Sequence, residues 1–532
     1  MKSKIDRIME ETKRAQTFFS EFSEEKVNRI IDAIHKVSMS NLEKWARFAH
    51  EETGYGKIED KVIKNRVAAE DVYKYIKPMK TTGFISAKPE MGIYEVASPM
   101  GIVAAVIPST NPTSTAIYKI LISLKARNGI VISPHPFAKN CIKAVVETIS
   151  DTAVSAGAPK GIIGFIDDSS IEDTQYLMKH HLTNVILATG GLGLVRAAYS
   201  SGKPAYGVGP GNVPAFIERT ADLKKAAKDV VAGKSFDWGT VCASEQSLIV
   251  DLPVAPKVRE LLKNEGCYFV NQREKVQLES LMVDEKGNLN PKIVAKSPQV
   301  IANMAGFEVP ANIKVLVVEE NGVGRDHPLT LEKLSPVLTY FEEDGWEAGC
   351  RRCIEVLKYG GLGHTLCLHS QDLNVIREFA LKKPAFRILV NTPGTHGAIG
   401  FTTNLPPAMT LGCGALGNNI TSDNITPLHL LDIKRIAFEV RSITTKEPIS
   451  LKPLISPFEI YGYDYKQKEK EGDFTSKAPE KEAFYSPFDF VSEEDVRKAK
   501  KENRQIKIHS KTIITPSAKE LGESWHIFEK VE

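Results

Sequence analysis

Apolar residues recur every three or four positions through residues 5–76, as in Val27, Ile30, Ile31, Ile34 and Val37. That period matches the α-helix, so the stretch reads as amphipathic helices buried along one face. From residue 81 to 106 the period shortens to alternation and short apolar runs, interrupted by Pro99 and Gly101, which predicts strands and a hairpin. Helix-like and strand-like segments then take turns: helix at 116–124, strand at 129–133, helix at 139–156, strand at 161–166. Such alternation predicts a parallel sheet with crossover helices. A second α/β region runs from residue 232 to about 411, with strands expected at 247–250, 313–318, 337–341 and 388–390. No internal repeat is visible.

Beyond Pro453 the pattern fades. Residues 466–482 hold charges, Gly, Pro, Ser and Thr with almost no core-forming side chains, the composition of a linker. Structure is expected to resume near Phe484. Ser492 reads as an N-cap, Asp495 as its capping-box acid, and Val491 with Val496 as a hydrophobic staple for a helix to about Asn503. Alternating Ile506 and Ile508 follow, then Thr515 and Pro516 as the opening of another helix.

A chain of 532 residues with 69 basic and 66 acidic side chains has no global field to draw it onto nucleic acid or an anionic membrane. The expected partners are a small molecule or another protein. No apolar run approaches the ~18 residues of a membrane span, and the N-terminal residues lack a signal-peptide core. A soluble, cytoplasmic protein is expected. Seven cysteines, an odd number spread thinly, argue for reduced thiols.

Cys242 stands out among them, in Ser-Phe-Asp-Trp-Gly-Thr-Val-Cys-Ala-Ser-Glu-Gln, flanked by small residues just before an apolar run. A thiol at an element end leaves room for substrate and for backbone N–H donors, as a nucleophile requires; core filling is the competing reading. Cys350 and Cys353 form C-x-x-C inside a helical pattern without a second ligand pair, so no metal is expected. Cys141, Cys267, Cys367 and Cys413 read as structural, with a functional reading open for Cys413 in its Gly-rich strip. The turn containing Thr189, Gly190, Gly191 and Gly193 follows a strand-like segment and precedes a helix-like one, the setting in which a helix N-terminus meets a phosphate. It lacks the full G-x-G-x-x-G spacing, and a plain tight turn is an equal reading.

Taken in order, Glu-Glu-Thr-Gly-Tyr-Gly56, Ile-Pro-Ser-Thr-Asn-Pro-Thr-Ser-Thr115, Ser-Pro-His-Pro136, Leu-Ala-Thr-Gly-Gly191, Ser-Gly-Lys-Pro-Ala205, Cys-Ala-Ser-Glu-Gln246, Glu-Lys-Leu-Ser-Pro336, Gly-Gly-Leu-Gly-His364 and Thr-Leu-Gly-Cys-Gly414 resemble the aldehyde dehydrogenase superfamily. The likeness is to its CoA-acylating branch, including the N-terminal half of bifunctional aldehyde-alcohol dehydrogenases, and covers about residues 51–441. The resemblance implies an α/β aldehyde dehydrogenase fold: a Rossmann-like cofactor domain at 1–214 with an oligomerisation hairpin near 81–100, an α/β catalytic domain at 215–425 holding Cys242, a β oligomerisation segment at 426–460, a linker at 461–483 and a tail at 484–532. It implies oxidation of a short-chain aldehyde, acetaldehyde or propionaldehyde, to acyl-CoA, with NAD (or NADP) as hydride acceptor and coenzyme A as co-substrate. Cys242 would form the thioester, with Asn111 and the Cys242 backbone N–H holding the oxyanion. Glu332 would bind the nicotinamide ribose, and Thr189, Gly190, Gly191 and Gly193 the pyrophosphate. His364 matches a histidine near the active site of the acylating branch; orienting CoA, shuttling a proton and simply filling the core remain open for it.

Two departures from the hydrolytic relatives inform the product and the cofactor. Their water-activating Glu falls here near Gly207 and Val208, where no carboxylate stands, so the thioester is expected to wait for the CoA thiol. Ser133 and Pro134, in Ser-Pro-His-Pro136, occupy the place of a Lys that binds the adenosine ribose, which leaves NAD against NADP open. Alternatives are a hydrolytic dehydrogenase, and an acylating enzyme for a polar aldehyde such as sulfoacetaldehyde. Segments 81–98 and 433–444 resemble the family's oligomerisation element, implying a homodimer or dimer of dimers. The capped tail helix looks like the encapsulation tails of enzymes inside bacterial microcompartments, implying a shell protein as partner; packing on its own or a neighbouring subunit is the alternative.

Overall fold

The helical period at the N-terminus is met by helices Lys2–Phe19, Glu24–Ser40, Leu42–Thr53 and Ile58–Arg66. Ser23 caps the second of these through Lys26 N, and Val27, Ile30, Ile31 and Ile34 are its buried stripe. This computed structural model describes residues 2–167, 169–284, 288–444, 453–455, 488–501 and 505–530. It divides into two compact units, Met1–Leu454 and Ile455–Glu532. Among the described residues no helix is long and apolar enough to cross a membrane.

Helix Lys2–Phe19 packs directly on a five-stranded parallel sheet made of β3 (Ile102–Ile107), β4 (Gly129–Pro134), β5 (Ile163–Phe165), β6 (Val185–Thr189) and β7 (Ala205–Val208), while the next helices pack on its crossover helices. Every residue of β3 and β4 is buried, the composition of strands covered on both faces. Strand order is β5-β4-β3-β6-β7, so the winding reverses between β3 and β6. Open α/β sheets bind ligands in the crevice beyond the carboxyl ends at such a reversal. Crossover helices Pro112–Lys125 and Lys139–Ser155 fall where the apolar pattern predicts them.

A second parallel sheet contains seven strands: β8 (Val213–Ile217), β9 (Glu245–Asp251), β10 (Cys267–Phe269), β11 (Val315–Glu319), β12 (Val337–Glu343), β13 (Gly363–His369) and β14 (Ala385–Val390), in the order β10-β11-β12-β9-β8-β13-β14. Four of them match the expected strands. The other three escape the sequence pattern for physical reasons: β8 includes Pro214 at a register shift, β10 has three residues, and β13 carries His364, Thr365 and His369 among its apolar positions. The switch between the sheets lies between Val208 and Val213.

A third sheet joins the antiparallel hairpin of β1 (Gly83–Lys88) and β2 (Ile93–Pro99) to β15 (Leu431–Ala437), more than three hundred residues away in sequence. The two segments expected to form one element therefore meet, with β15 at the edge. The expected linker at 466–482 lies outside the described residues.

The second unit holds three parallel strands, β16 (Phe488–Val491), β17 (Ile506–Ile514) and β18 (Phe528–Lys530), connected by helices Glu493–Lys501 and Pro516–Ser524. Ser492 and Asp495 form the expected capping interaction, and Thr515 caps the second helix through Ala518 N. Val491, Val496, Ala499, Ile506, Ile508, Ala518 and Ile527 make a core of their own. What reads in sequence as a capped helix behind a linker is thus part of a small β-α-β-α-β unit.

Candidate active site

One cavity of about 890 Å³ begins at the winding reversal of the five-stranded sheet and ends at Cys242. The carboxyl ends of four strands open into it, through Ile107, Pro134, Thr189 and Val208. Gly190, Gly191 and Gly193 line it at the start of helix Leu192–Tyr199. Thr189 Oγ1 is buried without a hydrogen-bond partner, a polar atom left for a ligand. Together with the helix N-terminus these residues fit a dinucleotide pyrophosphate. Pro134, His135 and Ile171 line the same end. Ser133 does not line the cavity: it is fully buried and its Oγ lies 2.8 Å from Thr174 Oγ1, so it takes no position on a ligand's surface.

At the other end, Cys242 sits on the loop between the short helix Phe236–Gly239 and β9. Gly211 passes so close that a Cβ there would lie 2.1 Å from the Cys242 carbonyl oxygen, so only glycine fits against the nucleophile loop. The Gly211 N–H donates to Glu332 Oε1 at 2.8 Å. Burial raises the Glu332 carboxyl to about 7, opposed by that N–H and by Lys234. Glu332 lines the cavity, as its expected role requires.

His364, at the start of β13 and fully buried, places Nε2 3.2 Å from Cys242 Sγ, while its Nδ1 lies 2.9 Å from Thr365 Oγ1. Full burial suits a core histidine, and contact with the thiol suits a proton shuttle. Burial pushes the Cys242 thiol up to about 12, with the Glu332 charge adding to the effect, and lowers His364 to about 3 with help from Arg387. The resting pair is therefore a neutral thiol beside a neutral imidazole. Asn111 precedes helix Pro112–Lys125 in the N-cap position but does not cap it. Its Oδ1 accepts from Lys64 Nζ at 2.7 Å, and its Nδ2 donates to Thr110 Oγ1 at 3.1 Å and to the Thr240 carbonyl at 3.3 Å, two residues before Cys242.

At the end of β7, Gly207 exchanges hydrogen bonds with Tyr199 Oη, and its carbonyl also accepts from Asn419 Nδ2. A Cβ at Gly207 would meet Val195 at 3.0 Å, so the place has no room for a larger side chain without adjustment. Among the described residues lining the cavity, Glu332 is the only carboxylate.

Three charged residues close to this site escaped the sequence reading. Lys64 and Asp237 are paired, and both are buried. Arg387 donates to Gly412 O, Ser422 O, Asn424 Oδ1 and His364 O, tying the Cys413 strip to the base of the site. A signal existed for Arg387, a lone cation in the inward phase of an apolar strand. None existed for Lys64, since one lysine on an amphipathic helix reads as solvated face. Cys350 and Cys353 lie in an apolar cluster with Phe216, Phe341 and Phe379.

Residues 1–270, just over half of the chain, match the aldehyde dehydrogenase family. An aldehyde-alcohol dehydrogenase of Clostridium acetobutylicum is 43% identical over 438 residues, which cover 81% of this chain and 50% of that protein. The chain thus spans about half the length of this relative. The solved structure of an acetylating aldehyde dehydrogenase from Geobacillus thermoglucosidasius superposes with a TM-score of 0.82 at 49% identity, covering 84% of this chain and 98% of the other. A propionaldehyde dehydrogenase from the Clostridium phytofermentans fucose utilisation bacterial microcompartment gives 0.74 at 27% identity, covering 82% and 97%. On the family match and the 49% identity over almost the whole of a solved relative, this chain belongs to the aldehyde dehydrogenase family.

Proposed function

We propose that the chain converts a short-chain aldehyde and coenzyme A to acyl-CoA, through a thioester on Cys242 and with NAD as hydride acceptor. Cys242 Sγ attacks the aldehyde carbon, and its proton passes out by way of His364 Nε2, 3.2 Å away, in the tautomer that carries its hydrogen on Nδ1; the buried imidazole relays the proton and does not retain it. The carbonyl oxygen becomes an oxyanion held by the Cys242 backbone N–H and by Asn111 Nδ2, which exchanges its long 3.3 Å bond to the Thr240 carbonyl for the new charge. A bound nicotinamide supplies the acceptor for the hydride that leaves the thiohemiacetal carbon. Thr189 and the turn at 190–193 would hold the cofactor's pyrophosphate and Glu332 its ribose. The CoA thiol then exchanges with the Cys242 thioester, restoring the thiol and releasing acyl-CoA. Because one thioester replaces another, the sequence runs in both directions.

The observation that carries CoA over water is the end of β7, where Gly207 is engaged by Tyr199 and Asn419 and offers no base. Glu332 favours a second reading, hydrolysis, because its carboxyl is raised to about 7 in the same cavity. Product analysis decides between them. Acyl-CoA with strict CoA dependence is expected; free carboxylate formed without CoA, and lost in Glu332→Gln, would establish the hydrolytic reading.

The lining from the catalytic side, with Val241, Leu334, Ile399, Met409 and Leu411, suits an apolar aldehyde. Lys64 is the one Lys or Arg in the described lining and is already paired, so a sulfonate or carboxylate tail would lack a cation. Acetaldehyde or propionaldehyde is therefore favoured over sulfoacetaldehyde, and a panel of these aldehydes at matched concentration tests the order. Exposed Phe438, Val440 and Ile443 follow edge strand β15, supporting association through this element as a homodimer or dimer of dimers, measurable by light scattering. The tail unit, together with the microcompartment origin of one structural relative, supports delivery to a microcompartment shell. A fluorescent fusion of the full chain should enter co-expressed shells, and one ending at Leu454 should remain diffuse.

A further inference from the structure

Lys64 is only 2% exposed, yet it reaches the cavity from helix Ile58–Arg66. Its Nζ donates to Asn111 Oδ1 at 2.7 Å, to Thr240 Oγ1 at 3.3 Å, and to Asp237 Oδ2. An ammonium has three protons to donate and no lone pair to accept with, so all its capacity is used. The two ends of an asparagine amide are nearly identical in shape, and only hydrogen-bond partners decide which way it faces. Against Lys64 the carbonyl end alone is tolerated; a flipped amide would set N–H against N–H. The NH2 end must then turn toward Thr110 and Thr240, the side that leads to Cys242.

Asp237 keeps the buried cation in place. Its carboxylate accepts from Lys61 at 3.0 Å, Thr240 Oγ1 at 2.9 Å and the Lys57 backbone N–H at 2.7 Å, while its own N–H donates to Asp60 at 2.7 Å. Desolvation draws the Lys64 pKa down to about 8, and the Asp237 charge opposes it, so the ammonium persists near neutrality. The backbone accepts strain to make this contact: Asp237 and Trp238 adopt φ of 47° and 53°. Gly56 completes the cradle, with φ of 66° and no room for a Cβ, which would lie 1.8 Å from Asp237 Oδ1.

We propose that Lys64 is the positioning residue of the oxyanion hole: held by Asp237, its ammonium fixes the Asn111 amide with the NH2 end toward the carbonyl oxygen of the reacting aldehyde. This rests on the reading of Cys242 as nucleophile. It also explains why a glycine motif near residue 56 and a helix outside both sheets belong to the site. Lys64 acts through Asn111 and touches no reacting atom.

The test is a double-mutant cycle read in a single turnover, with acyl-Cys242 quantified by mass spectrometry as NADH appears. Lys64→Met should slow acyl-enzyme formation by ~10–100-fold and Asn111→Ala by ~10²–10³-fold, both in kcat with little change in aldehyde KM, since the oxyanion exists only beyond the ground state. The double variant should be within about 3-fold of Asn111→Ala, because an orienting group has nothing left to orient. Lys64→Arg, which keeps a donor-only cation, should recover part of the rate. If Lys64→Met alone does not fold, combining it with Asp237→Asn and Lys61→Met removes all three buried charges of the cluster, and the same comparison is made in that background. Multiplicative losses, or an unchanged rate in Lys64→Met, would overturn the proposal. Absence of any acyl-Cys242 in the unmodified enzyme would overturn the nucleophile reading itself, which is a separate result.

Discussion

At the carboxyl ends of β4 and β6 the cavity wall is Pro134, the glycine turn at 190–193 and short uncharged side chains such as Ser169, Ser170 and Thr174, with Thr189 Oγ1 bonded to nothing. Around Cys242 the wall is instead wired by buried polar groups. Lys64, Asp237 and Asn111 form one chain of contacts, and His364 and Arg387 form another. The difference agrees with the roles proposed for the two ends. A wall that recognises a dinucleotide by shape and by backbone N–H groups can vary its side chains at modest cost. A wall that stabilises a short-lived charge must hold its donors before the charge appears, and buried partners do that most firmly. Substitutions should therefore separate the two ends sharply, in rate at one and in cofactor affinity at the other.

The largest effect is expected for Cys242→Ala, with steady-state NADH formation falling at least ~10⁴-fold and cofactor binding by fluorescence titration unchanged. A loss of both together would mean the two ends are not independent. Gly56→Ala and Gly191→Ala sharpen the same contrast. The first forces a Cβ onto Asp237 in a left-handed conformation, and about 1–2 kcal/mol of strain should lower the thermal midpoint along with turnover. The second adds a Cβ into open space at an ordinary φ of −65°, so stability and kcat should hold. Alkylation tests the neutral resting pair. With the Cys242 thiol raised to about 12, its thiolate fraction grows with each unit of pH through the alkaline range, so iodoacetamide labelling should still be accelerating at pH 10. A plateau near pH 7 would show a preformed ion pair. The smallest effect belongs to Thr189→Val, which removes one polar atom offered to the cofactor and should raise KM for NAD about 2–10-fold with kcat unchanged.

Much of the fold is legible because its strands are apolar runs and its crossover helices keep a clean period. Strands β9, β11, β12 and β14 announce themselves this way. β8 and β13 do not, since Pro214 in one and two histidines in the other disguise central strands as loops. In the tail, capping and alternation reveal the helices and β17, while the parallel pairing that binds them is a long-range property that no local pattern encodes. Cys242, Asn111, His364 and Glu332 are found through motifs, and the structure brings all four to one cavity or its wall. Lys64 and Asp237 stay invisible in sequence because a buried ion pair is written with the same letters as a solvated one, and only the three-dimensional contact distinguishes them.

On the proposed function a thioester on Cys242 waits for the CoA thiol, since no carboxylate stands at Gly207 and Val208 to activate water. Rapid mixing of enzyme, NAD and propionaldehyde without CoA tests this most directly. The expected record is a burst of about one NADH per subunit followed by a stall, with the acyl group on the Cys242 peptide, and release of that stall as propionyl-CoA when CoA is added. Continuous NADH formation with free propionate and no CoA, or a burst whose acyl group lies on another residue, would contradict it.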